Sequence, residues 1–119
     1  MPRCSDSTSG EALRIFKADV FSVLAHPTRI HIVECLCDGE FSVKEIIDRI
    51  GVEPANASQH LSVLRSKRLV RTRKEGNQVF YSLSDPLLAQ VLESMRLFFQ
   101  SHLEEAMQNL REMGAWQEK

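Results

Sequence analysis

Short polar side chains and cations are concentrated in residues 54–74, PANASQHLSVLRSKRLVRTRK. This segment holds six Lys or Arg and no acid, whereas the other 98 residues hold nine Lys or Arg and sixteen Asp or Glu, within a net charge of −1. Amides and hydroxyls can hydrogen-bond to base edges, and cations neutralise phosphates. The segment therefore has the chemistry expected of a surface that binds duplex DNA.

The order of side chains divides the expected contacts into two groups. Asn56 and Gln59 can bond to adenine edges, with Ser58 and Ser62 beside them, and His60 faces either a phosphate or a neighbouring helix. Cations follow at the end of the predicted helix and into a hairpin, where they would meet phosphates or track the minor groove. These cations are Arg65, Lys67, Arg68, Arg71, Arg73 and Lys74.

Hydrophobic periodicity predicts the elements that carry these residues. Two helical stripes come first, at 13–24 and 30–36, and we expect the second helix to end at a left-handed Gly39. A short third helix follows Ser42, which has the capping-box spacing to Glu45. A turn containing Gly51 then leads to a fourth helix at about 55–67, which is the helix-turn-helix spacing.

The second half of the chain changes period. Residues 69–73 and 78–83 alternate around the loop at 74–77, which predicts a β-hairpin. A helix of about 25 residues then starts at Asp85–Pro86. The predicted fold is mainly α with a small β-hairpin wing, a winged helix-turn-helix in the order α-α-α-α-β-β-α.

The last helix predicts a second copy of the chain. It is longer than the core beneath it, and its apolar stripe continues nearly to its end, so exposing that stripe to water would be unfavourable. We therefore expect a homodimer through the first and last helices. The expected domains are a flexible tail at 1–10, a DNA-binding and dimerisation domain at 11–113, and a C-terminal tail at 114–119.

Composition and motifs narrow the class of protein. No segment is apolar enough for a secretion signal or a membrane span, so we expect a cytoplasmic protein with no membrane partner. No phosphate loop, nucleophile elbow or complete metal-ligand set is present, which argues against an enzyme. A winged-helix module that binds only proteins is the alternative, but it would have little use for the cationic segment.

The chain resembles the ArsR/SmtB family of bacterial winged-helix repressors. The resemblance rests on LAHPTR, SQHLSVLR, LVRTRKEG and VFYSL, and it covers about residues 12–105. It implies a dimer that binds a palindromic operator and releases it when an inducer binds. It also implies that Ser58, Gln59 and His60 lie in the recognition helix, with Arg73, Lys74 and Gln78 in the wing.

The sequence departs from that family after the recognition helix. Lys67-Arg68 replaces the usual Ala-Gly, and a non-glycine residue in the left-handed region costs roughly 1 kcal/mol, so we expect a different helix cap here. The two added cations predict tighter and more salt-dependent DNA binding.

The inducer is not evident from the sequence. Ser42 and Lys44 stand where arsenic- or cadmium-type members have Cys-x-Cys, and only Asp85 remains of the ligand set on the last helix. Cys35, Cys37 and Cys4 could bind a thiophilic ion such as As(III) or Sb(III) if the second helix unwinds near Gly39. A redox or persulfide switch at Cys35 or Cys37, or inert thiols, are the alternatives.

Overall fold

The computed structural model describes residues 8–114 and confirms a helical fold with a hairpin wing. The first helix begins at Thr8, so it includes three residues, 8–10, that the sequence assigns to the N-terminal tail. Cys4 lies outside the described residues. The elements are α1 Thr8–Leu24, α2 Pro27–Leu36, β1 Phe41–Ser42, α3 Val43–Ile50, α4 Pro54–Ser66, β2 Val70–Glu75, β3 Gln78–Leu83 and α5 Pro86–Glu112.

The sheet has three antiparallel strands in the order β1-β3-β2. Strand β1, in which Phe41 lies opposite Tyr81, corrects the predicted element order, which lacked it. Two residues are too few to show a strand period, so β1 leaves no signal in the sequence. Strands β2 and β3 pair from Val70 to Glu75 and leave a two-residue loop of Gly76 and Asn77, shorter than the predicted 74–77. Gly76 has φ 61°, a conformation that glycine adopts readily.

Local capping sets several helix ends. The predicted capping box is present: the Glu45 amide donates to Ser42 Oγ at 3.2 Å, and the Ser42 amide donates to Glu45 Oε1 at 2.8 Å. Asp85 caps α5 by accepting a hydrogen bond from the Leu87 amide at 2.8 Å. The predicted left-handed cap at Gly39 is wrong. Helix α2 ends at Leu36, its C-cap residue is in the right-handed region, and Gly39 has φ 141° rather than a left-handed helical value.

The core lies between α2, α3, α4 and the base of the hairpin. Helix α4 contributes Ala57, Leu61 and Leu64, spaced four and three residues apart on one side, and each is at most 1% exposed. Leu61 and Leu64 pack with Ile32 and Ile46, which are fully buried. Because α4 is buried on one side only, its opposite side lies in solvent.

The end of α4 keeps a left-handed cap, so the expectation of a different cap is wrong. Arg68 has φ 60° and is the only non-glycine residue of positive φ between residues 8 and 114. The Arg68 amide donates to the Arg65 carbonyl at 2.9 Å and the Leu69 amide to the Leu64 carbonyl at 3.1 Å, which is the Schellman pattern. Burial of Leu64 and Leu69 accompanies this cap. Arg68 therefore occupies a backbone conformation that favours glycine.

We expect Arg68→Gly to raise the free energy of unfolding by about 1 kcal/mol, because glycine relieves the left-handed strain. The same change should lower the salt slope of DNA binding by about one, because it removes one cation. Urea unfolding and binding titrations at several salt concentrations would measure the two effects. Arg68→Ala is the matched control, since it removes the charge but keeps Cβ. An equal gain of stability in both variants would contradict the backbone explanation.

Apolar side chains remain exposed on α1 and α5. No residue of α5 is buried, and Phe98 on α5 is 60% exposed. Phe16 and Phe21 on α1 are also more than half exposed. Monomeric proteins rarely expose large apolar patches. None of the helices within residues 8–114 combines the length and apolar character that crossing a bilayer requires.

Candidate nucleic-acid interface

Helix α4 presents a polar face to solvent. At 100° per residue, Gln59 lies nearly opposite the buried stripe of Ala57, Leu61 and Leu64. Asn56, Ser58 and Ser62 are exposed on the same half of the helix. The four predicted base-contacting residues therefore form one accessible surface, which is the arrangement that major-groove recognition requires.

Three of the predicted phosphate-contacting cations are exposed and unpaired. Arg65 and Arg68 lie at the end of α4, and Lys74 lies on β2 near the hairpin loop. None of the three forms an ion pair within the part of the chain that the structure describes. Gln78 is exposed at the start of β3, opposite Glu75. These side chains can reach a phosphate without first losing another partner.

The other three cations contact groups of the protein. Lys67 pairs with Asp19 of α1 at 2.9 Å, and Arg71 donates to the carbonyl of Ser84. A cation that already contacts a protein group has less of its charge, and fewer hydrogen-bond donors, available for a phosphate. The local field around α4 and the wing is therefore weaker than the six cations alone suggest.

Arg73 is the most strongly engaged of these cations. Its guanidinium lies 2.8 Å from Glu40 and 2.6 Å from Glu75, and 4.7 Å from the centre of the Phe80 ring. These hydrogen bonds raise the pKa of Arg73 and lower the pKa of Glu40. Sequence reasoning missed both acids. The contact with Glu75 could have been predicted, because residues two apart on a strand share a face. Glu40 is 33 residues from Arg73 in the sequence, so no local pattern indicates that contact.

We expect Glu40→Gln to strengthen binding to any duplex by about two- to threefold, because a phosphate no longer competes with this carboxylate for Arg73. Fluorescence anisotropy against a labelled duplex at fixed salt would measure the change. Glu104→Gln on α5 is the control, since it removes the same charge from an exposed site. Equal gains in both variants would show an effect of net charge and contradict the release of Arg73.

His60 turns toward the protein. Its Nδ1 accepts a hydrogen bond from Arg29 Nε at 3.2 Å, and its ring centre lies 4.3 Å from that of His26. Burial and the neighbouring His26 and Arg29 lower the pKa of His60. Of the two orientations that the sequence left open, the structure places this side chain against neighbouring helices. His26 itself caps α2 by accepting a hydrogen bond from the Thr28 amide at 3.2 Å.

The two described candidate thiols lie in different environments. Cys35 is buried and Cys37 is exposed, and the backbone of Cys37 continues in the right-handed region without unwinding. Partial desolvation, followed by nearby carboxylates such as Asp38, raises the pKa of the exposed Cys37 thiol. Burial also raises the pKa of Cys35, against the opposing effect of Arg49. Both thiols are therefore protonated near neutral pH, whereas the thiolate is the form that binds soft ions and reacts.

Other candidate ligands are also dispersed. No group of three or more His, Cys, Asp or Glu side chains that could bind a metal ion occurs within residues 8–114. His31 is exposed on α2, and His102 lies with its ring centre 5.0 Å from that of Phe98 on α5. Cys4, the third proposed thiol ligand, is outside this range. Metal binding by Cys35, Cys37 and Cys4 stays a prediction, and the geometry of the described residues does not support it.

Sequence comparison places these features in a known group of regulators. The family described as bacterial regulatory protein, arsR family, matches residues 26–72. Over 87 residues the chain is 41% identical to Rv0081 of Mycobacterium tuberculosis, an uncharacterized HTH-type transcriptional regulator, covering 72% of this chain and 76% of that protein. The chain belongs to the ArsR family. A second relative, the biofilm growth-associated repressor of Xylella fastidiosa, is 38% identical over 82 residues, which are 69% of this chain and 72% of that repressor.

A solved structure of similar sequence shares the ArsR-family fold. The homodimeric winged helix-turn-helix DNA-binding domain of Mb0332 from Mycobacterium bovis, a possible ArsR-family regulator solved by NMR, superposes with a TM-score of 0.75 at 29% identity. The match covers 87% of this chain and 95% of that domain. The family and the fold are those of DNA-binding transcriptional regulators.

Proposed function

We propose that the protein is a homodimeric transcriptional repressor that binds a palindromic operator with α4 and the β2–β3 wing. The exposed polar face of α4, opposite its buried stripe, is the observation that carries this proposal. Gln59, Asn56 and the two serines would contact base edges, and the unpaired cations Arg65, Arg68 and Lys74 would contact phosphates. Lys67, Arg71, Arg73 and Gln78 would add backbone contacts at the edge of this surface.

Dimerisation supplies the spacing that operator recognition needs. All the exposed large hydrophobic side chains among residues 8–114 lie on α1, on α5 or at Met113, which directly follows α5. A two-fold axis through these helices would bury that surface and place two α4 helices on one face of the duplex. Half-sites about 34 Å apart would then fit successive major grooves.

Selection of duplexes from a random library by the purified protein would test this function. We expect enrichment of an inverted repeat, binding of that duplex by a dimer, and weaker binding of a shuffled duplex of equal composition. In cells, a reporter downstream of the enriched sequence should lose expression when the protein is present. Failure to enrich any duplex would favour the alternative of a protein-interaction module. Raised reporter expression would indicate an activator.

Release of DNA by an inducer is the remaining part of the proposal. A thiol-directed inducer such as arsenite, antimonite, peroxide or polysulfide should dissociate the complex and lose its effect in a Cys35→Ser, Cys37→Ser variant. The raised pKa of both thiols and the burial of Cys35 argue against this route. Dissociation that persists in the double variant would assign the inducer to another site.

A further inference from the structure

Arg29 joins three parts of the fold around the recognition helix. It lies in the first turn of α2, where its Nε donates to His60 Nδ1 at 3.2 Å and one terminal nitrogen donates to the carbonyl of Val23 at 3.1 Å. Val23 is in the last turn of α1, where carbonyls lack helical partners. One half-buried side chain thus connects the end of α1, the start of α2 and the middle of α4.

The hydrogen bond from Arg29 fixes the protonation state of the His60 ring. A guanidinium only donates, so Nδ1 of His60 must be unprotonated and the neutral ring carries its proton on Nε2. His26 packs on the same ring at 4.3 Å and is itself fixed by the amide of Thr28. Protonation of Nδ1 would remove the acceptor and place a second cation beside Arg29. The arrangement therefore depends on a neutral His60.

The hydrogen bond between Arg29 and His60 restricts rotation of α4 about its own axis, which the apolar core does not restrict. Ala57, Leu61 and Leu64 form a narrow stripe, and apolar packing has no preferred direction. His60 lies beside this stripe, between the buried side of α4 and the side that carries Gln59. A directional hydrogen bond at the flank resists rotation of α4 about its own axis. Such a rotation would move Gln59 and Ser62 relative to base edges while leaving cations within reach of phosphates.

We propose that Arg29 and His60 are positioning residues for operator recognition, which set the rotation of α4 relative to the corner between α1 and α2. This inference rests on the proposed DNA-binding function. Because α1 carries part of the proposed dimer surface, the same contact links the dimer interface to the base-reading face. Arg29 acts through His60 in this arrangement, and His60 acts through the orientation of its helix.

Variants of both residues test the proposal. His60→Phe keeps an aromatic ring against His26 but removes the acceptor, and Arg29→Met removes the donor. We expect each to weaken binding to the selected duplex by about tenfold and to change binding to a shuffled duplex by less than about twofold. His60→Asn supplies an amide oxygen as acceptor and should recover most of the loss. Urea unfolding of each variant would identify conditions in which all the variants are folded, and binding would be measured there.

A double variant and NMR separate positioning from direct DNA contact. If Arg29 acts through His60, Arg29→Met combined with His60→Phe should lose no more than either single variant. In wild-type protein, the ring nitrogens of His60 should show a proton on Nε2, and Arg29→Met should move the pKa of His60 upward. Additive losses, or an unchanged preference for the selected duplex in Arg29→Met, would overturn the positioning role. Wild-type protein that discriminates no duplex would overturn the proposed function and this inference with it.

Discussion

Phe98→Glu should convert the protein to a monomer and nearly abolish operator binding. Phe98 is 60% exposed on α5 and belongs to the apolar surface that we place in the dimer interface. Burying an unpaired carboxylate there costs roughly 3–5 kcal/mol, so the dimer dissociation constant should rise at least about a hundredfold. Because a monomer can occupy only one half-site, affinity for the inverted repeat should fall by a comparable factor.

Sedimentation equilibrium and anisotropy with the selected duplex would measure the two effects. Gln100→Glu is the matched control, because it adds the same charge to an exposed position of α5 about 160° around the helix from Phe98. It should remain dimeric and bind DNA with nearly wild-type affinity. A Phe98→Glu protein that stays dimeric at low micromolar concentration would show that the copies associate through another surface.

Gln59→Ala should cost about 5- to 150-fold in operator affinity per half-site, since a bidentate base contact contributes about 1–3 kcal/mol of discrimination. Gln59 is exposed at the centre of the outward face of α4, opposite the buried stripe. The loss should appear only with duplexes that carry the preferred base, and repeated selection should show relaxed preference at one symmetric position in each half-site.

Competition binding with single-base variants of the selected duplex would test this assignment. Gln108→Ala, the same substitution at an exposed position of α5, serves as the control and should leave DNA affinity unchanged. A uniform loss across all duplexes would instead assign Gln59 to a phosphate contact. A loss confined to one base pair would identify the position in the operator that this side chain recognises.

The helices and the hairpin were predictable because their signals are local. Ser42 and Glu45 cap α3, Asp85 caps α5, and the stripe of α4 recurs every three or four residues, so each depends on residues within one turn. The order of these elements and the helix-turn-helix spacing then indicated the family. Strand β1 was missed because two residues have no period, and the cap at Arg68 was mispredicted because the Schellman hydrogen bonds retain a left-handed backbone without glycine.

The state of individual site residues was not predictable in the same way. Arg73 is paired with Glu40, and His60 with Arg29, across more than thirty residues of chain. These partners meet only because β1 pairs with the wing and α2 packs against α4. The exposure of the apolar stripe of α5 likewise depends on tertiary packing, because no residue of this helix is buried in the core.

The sequence by itself determined which helices and strands form and which segment carries the cations, since both follow from side-chain periodicity and composition. Tertiary structure alone decided which of those cations are free, which way His60 turns and which of the two described thiols is buried. The physical reason is that hydrogen bonds and ion pairs require atoms within about 3–4 Å. For residues distant in sequence, only the packing of whole elements sets that distance.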